Sequence, residues 1–279
     1  MVKGFFKDLK STAAKLGFAD PSWLKEDADP VFESVDTPGP GPQLLLLHGL
    51  LGQVSNWEYV TPHLAKNTNP IALKFPLLTA SKNDVKVKSL ALFTEAFIRE
   101  RSMAPAALCG NSLGGHVALR LALARPELVD CMILSGSSGL YEHTVDSLPL
   151  RPDEKFVREH MARVFVNSEF ITEEAISQMV EILDSRHNIG NLLSTAKSAK
   201  RDNLYDLLPQ ITCPVLLLWG EDDTVTTMEV AETFKRRLPN SKLVSQKRCG
   251  HAPMIEHPEW FADEIDKFLR EHSRFYNKR

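Results

Sequence analysis

The run Ala107-Leu108-Cys109-Gly110-Asn111-Ser112-Leu113-Gly114-Gly115 sets Gly-x-Ser-x-Gly between an apolar stretch of strand length, Ala104 to Cys109, and a strongly helical one, Leu113 to Ala124. A serine on a sharp strand-to-helix turn needs a strained backbone, and the residues two before and two after it must be tiny for strand and helix to approach. Gly110 and Gly114 meet that demand. The helix N-terminus then offers free N–H groups and a partial positive charge where an oxyanion would form. Arg125-Pro126 supplies the helix stop.

Outward from this turn, apolar runs of strand length recur: Gln43 to His48, Asn69 to Phe75, Cys131 to Ser135, Pro214 to Trp219 and Lys242 to Gln246, with Phe32 to Val35 as an edge candidate. Most are continuously hydrophobic rather than alternating, the mark of strands covered on both faces. Helices are expected between them, including Glu229 to Leu238 and Glu259 to Glu271. The fold class is therefore α/β, a mostly parallel central sheet with helices on both faces. From about Leu140 to Gln210 no run reads as a core strand, and amphipathic helices follow one another. The clearest begins after Thr172 and sets Ala175, Ile176, Met179, Val180 and Leu183 on one face; another carries Phe156, Met161, Val164 and Phe165. The expected organisation is an N-terminal extension over 1–30, a core over 31–139 and 211–279, and a helical cap over 140–210. A chain of 279 residues fits one large core plus an insertion.

Composition narrows the function classes. With 33 basic and 36 acidic residues the net charge is −3, so no overall basic field exists to hold a nucleic acid. Cys109, Cys131, Cys213 and Cys249 are scattered without zinc or dithiol spacing and read as reduced thiols. No apolar run approaches a membrane span, and no secretory h-region opens the chain, so a cytoplasmic location is expected. Residues 1–17 place Phe5, Phe6, Leu9, Ala13 and Leu16 near helical spacing among Lys3, Lys7, Lys10 and Lys15, which resembles an interfacial helix and suggests peripheral membrane contact. With no P-loop and no Gly-x-Gly-x-x-Gly after a strand, no cofactor is expected.

A serine hydroxyl is a poor nucleophile at neutral pH and needs a histidine base held by a carboxylate. After the strand ending at Trp219 comes Gly220-Glu221-Asp222-Asp223; after the last strand comes Cys249-Gly250-His251-Ala252-Pro253. Both would lie at carboxyl ends of strands, where open α/β sheets bind ligands. Spacing alone does not separate Asp222 from Asp223.

Four ordered signatures, His48-Gly49, Gly110 to Gly115, Trp219 to Asp223, and Gly250-His251 followed by Glu256-His257-Pro258, resemble the α/β-hydrolase superfamily over roughly Val31 to Leu269. The resemblance selects Asp223 as the loop carboxylate and implies a Ser112, Asp223, His251 triad. It further implies an oxyanion hole of two backbone N–H groups, those of Leu50, with Leu51 as the alternative, and Leu113. His48 is expected to brace its loop. His63, His116, His143, His160, His187, His257 and His272 read as helix or loop residues.

A serine at the turn sets aside the superfamily's dehalogenases and epoxide hydrolases, which place a carboxylate there. Ester hydrolysis on an apolar small-molecule substrate is the first expectation, with Asn111, Leu51, Met161, Phe165, Met179 and Ala252 as candidate substrate contacts. Asn111 before the serine also resembles carbon–carbon hydrolases of aromatic-ring cleavage products, although Ala252 stands where those enzymes tend to carry a bulky aromatic; Arg186 and Arg201 are candidates to hold a substrate carboxylate in that reading. A non-catalytic ligand-binding protein on the same fold is the third.

Overall fold

The structure, a computed structural model, describes residues 2–17, 20–25, 30–140, 149 and 152–276, with side chains from Phe6 onward. Seven strands form one sheet: β1 (Glu33–Asp36), β2 (Gln43–Leu47), β3 (Asn69–Lys74), β4 (Ala106–Asn111), β5 (Val129–Ser135), β6 (Val215–Gly220) and β7 (Ser241–Gln246). Their order is β1-β3-β2-β4-β5-β6-β7, with β1 antiparallel to β3 and every other pair parallel. The helices are α1 (Val2–Leu16), α2 (Ser22–Lys25), α3 (Thr61–Leu64), α4 (Val87–Glu100), α5 (Leu113–Ala124), α6 (Glu154–Val164), α7 (Glu173–Asp184), α8 (Arg186–Arg201), α9 (Met228–Arg237), α10 (Pro253–Glu256) and α11 (Pro258–His272).

The continuous apolar strands are explained by two cores. Alternation sends Leu45 and Leu47 of β2, and Val215, Leu217 and Trp219 of β6, into a cluster with α4, α5 and α9. Their neighbours Leu44, Leu46, Leu216 and Leu218 enter a second cluster with Phe261, Ile265 and Leu269 of α11. Neither face of the inner strands β2 to β6 is open to water, so both sides of each must be apolar. From β2 the chain passes to β3 on one side and then to β4 on the other, so the strand order reverses at β2/β4. The carboxyl ends of these two strands flank the crevice where such sheets bind ligands.

Differences from the sequence reading have local causes. β4 begins at Ala106, because Pro105 cannot donate to a ladder, and runs on through Gly110 to Asn111. Helix α4 buries eleven of its side chains; Glu95 among them is held by Arg99 and Arg125. The apolar face of α1 that suggested a membrane contact is turned inward: Phe6, Leu9 and Ala13 pack with Leu24, Leu92 and Ala96. The side chains of Lys3 and Phe5, and His143, lie outside the described residues. Among the described residues, no helix is long and apolar enough to cross a membrane.

Between β5 and β6 the described elements are helical. Asp153, Thr172 and Ser185 cap α6, α7 and α8 by accepting from Phe156, Ala175 and Asn188 N–H, three side-chain N-caps of the preferred residue types. Met161, Ile176, Leu183 and Leu192 form the apolar centre of this insertion.

Candidate active site

Ser112 follows β4 with φ 53° and ψ −116°, the strained turn its neighbours anticipate. The need for glycine is steric. A Cβ on Gly110 would stand 2.5 Å from the Gly114 backbone, and one on Gly114 would stand 2.0 Å from the Leu47 carbonyl oxygen. The turn is held by Ser112 N–H donating to the Ser135 carbonyl (3.0 Å) and by the Ser112 carbonyl accepting from Ser138 N–H (3.1 Å). Ser112 itself is half-buried.

Asp223 and His251 meet on the loops after β6 and β7. The Nδ1 of His251 lies 2.8 Å from Oδ2 of Asp223. A carboxylate only accepts, so Nδ1 carries the hydrogen and Nε2 keeps its lone pair. The Thr226 hydroxyl donates to the same Oδ2 (2.9 Å), and Oδ1 accepts from the N–H groups of Val225 (2.8 Å) and Thr226 (2.9 Å). Burial pushes the Asp223 carboxyl upward, but His251 and the Thr226 and Val225 N–H groups outweigh it and hold the group below its ordinary value. Asp222 takes no part; its N–H donates to the Cys249 carbonyl. Gly136, at φ +50°, passes close over the pair, since a Cβ there would stand 2.8 Å from His251 Nδ1.

The loop after β2 closes the other side. A Cβ on Gly49 would stand 3.3 Å from the Ser112 Cβ, which puts the His48-Gly49-Leu50 loop against the serine. The N–H groups of Leu50, Leu51 and Leu113 have no acceptor among the described residues. His48 is buried, lies 2.8 Å through Nδ1 from the Gly49 carbonyl oxygen, and accepts Phe75 N–H at Nε2 (2.9 Å). Desolvation lowers it to about 4, so it is a neutral brace for this loop.

Of the candidate substrate contacts, Leu51, Met161, Phe165 and Met179 come together with Leu50 in one apolar cluster. Ala252 does not join them: it packs under the sheet with Met254 and Phe261. The buried amide of Asn111 donates to the carbonyls of Ser135 (3.1 Å) and His251 (3.1 Å), so its two hydrogens are spent on backbone, one of them on the histidine loop. Arg186 and Arg201 line a groove of about 1000 Å³ with Lys82, Lys86 and Lys197, and none of Ser112, Asp223 and His251 lines it.

Three neighbours of the site were not expected from the sequence. Thr226 is legible in retrospect from Asp-x-x-Thr spacing, in which the carboxylate closes a turn on its own following N–H groups. His160 of α6 is lowered to about 4 by burial and by the nearby His251, and its ring stacks on Phe156 at 6.1 Å. Glu256 bonds the loop of His251, as described below.

The fold agrees with the comparisons. Residues 44–264 match the model of the alpha/beta hydrolase family, and the chain belongs to that family. It is 30% identical over 248 residues to the pimeloyl-[acyl-carrier protein] methyl ester esterase of Nitrosomonas europaea, covering 83% of this chain and 97% of that one. It is 28% identical over 255 residues to the 2-hydroxy-6-oxo-6-(2'-aminophenyl)hexa-2,4-dienoic acid hydrolase of Metapseudomonas resinovorans, covering 83% and 85%. Among solved structures, the alpha/beta hydrolase MGS-MChE2, from a sediment metagenome of the Mar Chica lagoon, superposes with a TM-score of 0.71 at 31% identity over 87% of this chain and 96% of that one.

Proposed function

We propose that the chain is a serine hydrolase that cleaves a carboxylic ester with an apolar acyl group through an acyl-enzyme on Ser112. His251 Nε2 takes the Ser112 proton as Oγ attacks the carbonyl carbon, and the oxyanion is met by the N–H groups of Leu113 and of Leu50 or Leu51. The tetrahedral intermediate collapses as His251 gives its proton to the leaving alkoxide. Water, deprotonated by the same nitrogen, then releases the acid and restores Ser112. Asp223 stays ionised, fixes the tautomer and stabilises the imidazolium.

The observation that carries this reading is the buried Asp223–His251 bond at 2.8 Å, on a loop tied to the strained Ser112 turn through Asn111, whose amide donates to the His251 carbonyl (3.1 Å). A binding protein has no physical need of such a pair. An apolar acyl group is supported by Leu50 and Leu51, which belong both to the loop facing Ser112 and to the cluster of Met161, Phe165 and Met179. The relative from Nitrosomonas, by its name, acts on an acyl methyl ester, which lies within this substrate class. Against carbon–carbon cleavage stands the placement of Arg186 and Arg201 in a groove that the triad does not line. In this reading α6, α7 and α8 form a cap over the acyl pocket.

The test is hydrolysis of a chain-length panel of p-nitrophenyl esters beside a ring-cleavage dienoate, comparing wild type with Ser112→Ala. Ester turnover abolished by the substitution supports the reading. Turnover of the dienoate alone replaces it with carbon–carbon hydrolysis, and inactivity on both favours ligand binding.

A further inference from the structure

Helix α10 starts two residues after His251 and ends on Glu256, whose side chain turns back over the histidine loop. Its Oε2 accepts from Gly250 N–H (2.6 Å), and its Oε1 accepts from Val166 N–H (2.8 Å) and Asn167 N–H (3.0 Å). One carboxylate thus joins the residue before His251 to the turn that follows α6. No cation pairs with Glu256 among the described residues, so the three backbone N–H groups are its partners.

The same two segments are joined directly. The last carbonyls of a helix lack intrahelical donors and must find them elsewhere. For α6 they find them in the candidate site: His251 N–H donates to the Val164 carbonyl (2.8 Å), and the Thr224 hydroxyl, next to Asp223, donates to the Arg163 carbonyl (3.0 Å). Gly250 permits this approach, since a Cβ there would stand 2.3 Å from the Val164 carbonyl oxygen and 3.1 Å from Glu256 Oε2. Val164 packs against the core under the sheet, Met161 of the same helix enters the apolar cluster of the insertion, and Phe165, just after the helix, touches both. The end of α6 and the backbone of His251 therefore share one seat.

We propose that Glu256 is a positioning residue for the reaction: its carboxylate fastens the His251 loop to the end of α6, so that the seat of the insertion over the acyl pocket sets where the base stands. This rests on the reading of Ser112, Asp223 and His251 as the triad. Glu256 meets no reacting atom, and its contribution is to the rate of attack by Ser112 rather than to ester binding. A displacement of the base by about 1 Å costs up to a hundredfold in rate.

The test compares wild type with Glu256→Gln and Glu256→Ala in the full chain, well below each melting midpoint. Three quantities are read: kcat and KM on a short p-nitrophenyl ester, the rate at which a fluorophosphonate labels Ser112 by intact mass, and the melting midpoint. In the labelling step Ser112 Oγ bonds phosphorus, fluoride leaves, and His251 takes the proton, so the rate reports base placement without the acyl pocket. The expected result for Glu256→Ala is a fall of about tenfold to a hundredfold in both kcat and labelling rate, with KM within about twofold. Glu256→Gln, which keeps one acceptor oxygen and the side-chain volume, falls between and decides the matter if the alanine variant fails to fold. A lowered melting midpoint with kcat and labelling within about twofold of wild type makes Glu256 a structural strap and overturns the proposal. Wild type that does not label at Ser112 overturns the triad reading and this inference with it; wild type that labels, with variants labelling equally fast, overturns this inference alone.

Discussion

Replacing Asp223 by asparagine tests the electrostatic logic of the site with almost no change of shape. The two oxygens of Asp223 are not equivalent: Oδ1 accepts two backbone N–H groups, from Val225 and Thr226, whereas Oδ2 faces His251 Nδ1 and the Thr226 hydroxyl. In Asp223→Asn the amide oxygen must take the Oδ1 position, because an NH₂ there would face two donors. The NH₂ group then points at Nδ1, which can only accept from it, and the imidazole hydrogen is driven to Nε2. The base is now blocked on the side that must receive the Ser112 proton. The expected loss in kcat is about 10⁴-fold at neutral pH, or about 5.5 kcal/mol of barrier, with KM little changed. The assay is steady-state hydrolysis of a short p-nitrophenyl ester, with the melting midpoint measured on the same preparation. A folded variant whose kcat stays within about tenfold of wild type refutes the tautomer argument and the role given to Asp223.

Other consequences follow from the same geometry. His48 has an unfolded value of 6.5 and a folded value of about 4, so below pH 6.5 the unfolded chain takes up a proton that the native state refuses. Its contribution is full above pH 6.5, declines as pH falls to about 4 and is then exhausted, a loss of roughly 3 kcal/mol. Denaturant midpoints of wild type should fall more steeply across that window than those of His48→Gln, and equal slopes would contradict the buried neutral ring. Gly136→Ala sets a Cβ 2.8 Å from His251 Nδ1 at a position with φ +50°; kcat should fall by about tenfold or more, whereas full activity would show that the pair is free to move. Met161→Trp fills the cluster shared with Leu50 and Leu51 and should shift the ester chain-length optimum downward. An unchanged profile in a folded variant would put the acyl group elsewhere.

Much of the fold was legible because burial on both faces leaves an unmistakable trace. Runs such as Leu44 to Leu47 and Val215 to Trp219 are apolar at every position since alternate side chains serve different cores. The serine turn was legible for a steric reason: a Cβ on Gly110 or Gly114 would stand 2.5 Å or 2.0 Å from neighbouring backbone atoms. Periodicity could not say that α4 is buried nearly all round, since it reports one-sided burial. Nor could periodicity say where the amphipathic face of α1 is spent; it packs on Leu92 and Ala96. In the site, residue types and chain order pointed to Asp222 or Asp223 and to His251, and the family resemblance chose Asp223, but long-range partners have no sequence period. The use of Asn111 on the His251 carbonyl spans 140 positions, and that of Glu256 on Val166 spans 90. Only the folded chain reveals them.

The central claim is covalent: Ser112 carries the acyl group between two half-reactions. Rapid quenching of the wild-type enzyme with p-nitrophenyl butyrate, followed by digestion and mass analysis, reads that step directly. The account predicts a butyryl adduct on the peptide containing Ser112, formed within the first turnover together with a stoichiometric burst of p-nitrophenol, and absent in Ser112→Ala. Turnover of the ester by wild type that persists undiminished in Ser112→Ala, with no adduct on that peptide, would contradict it.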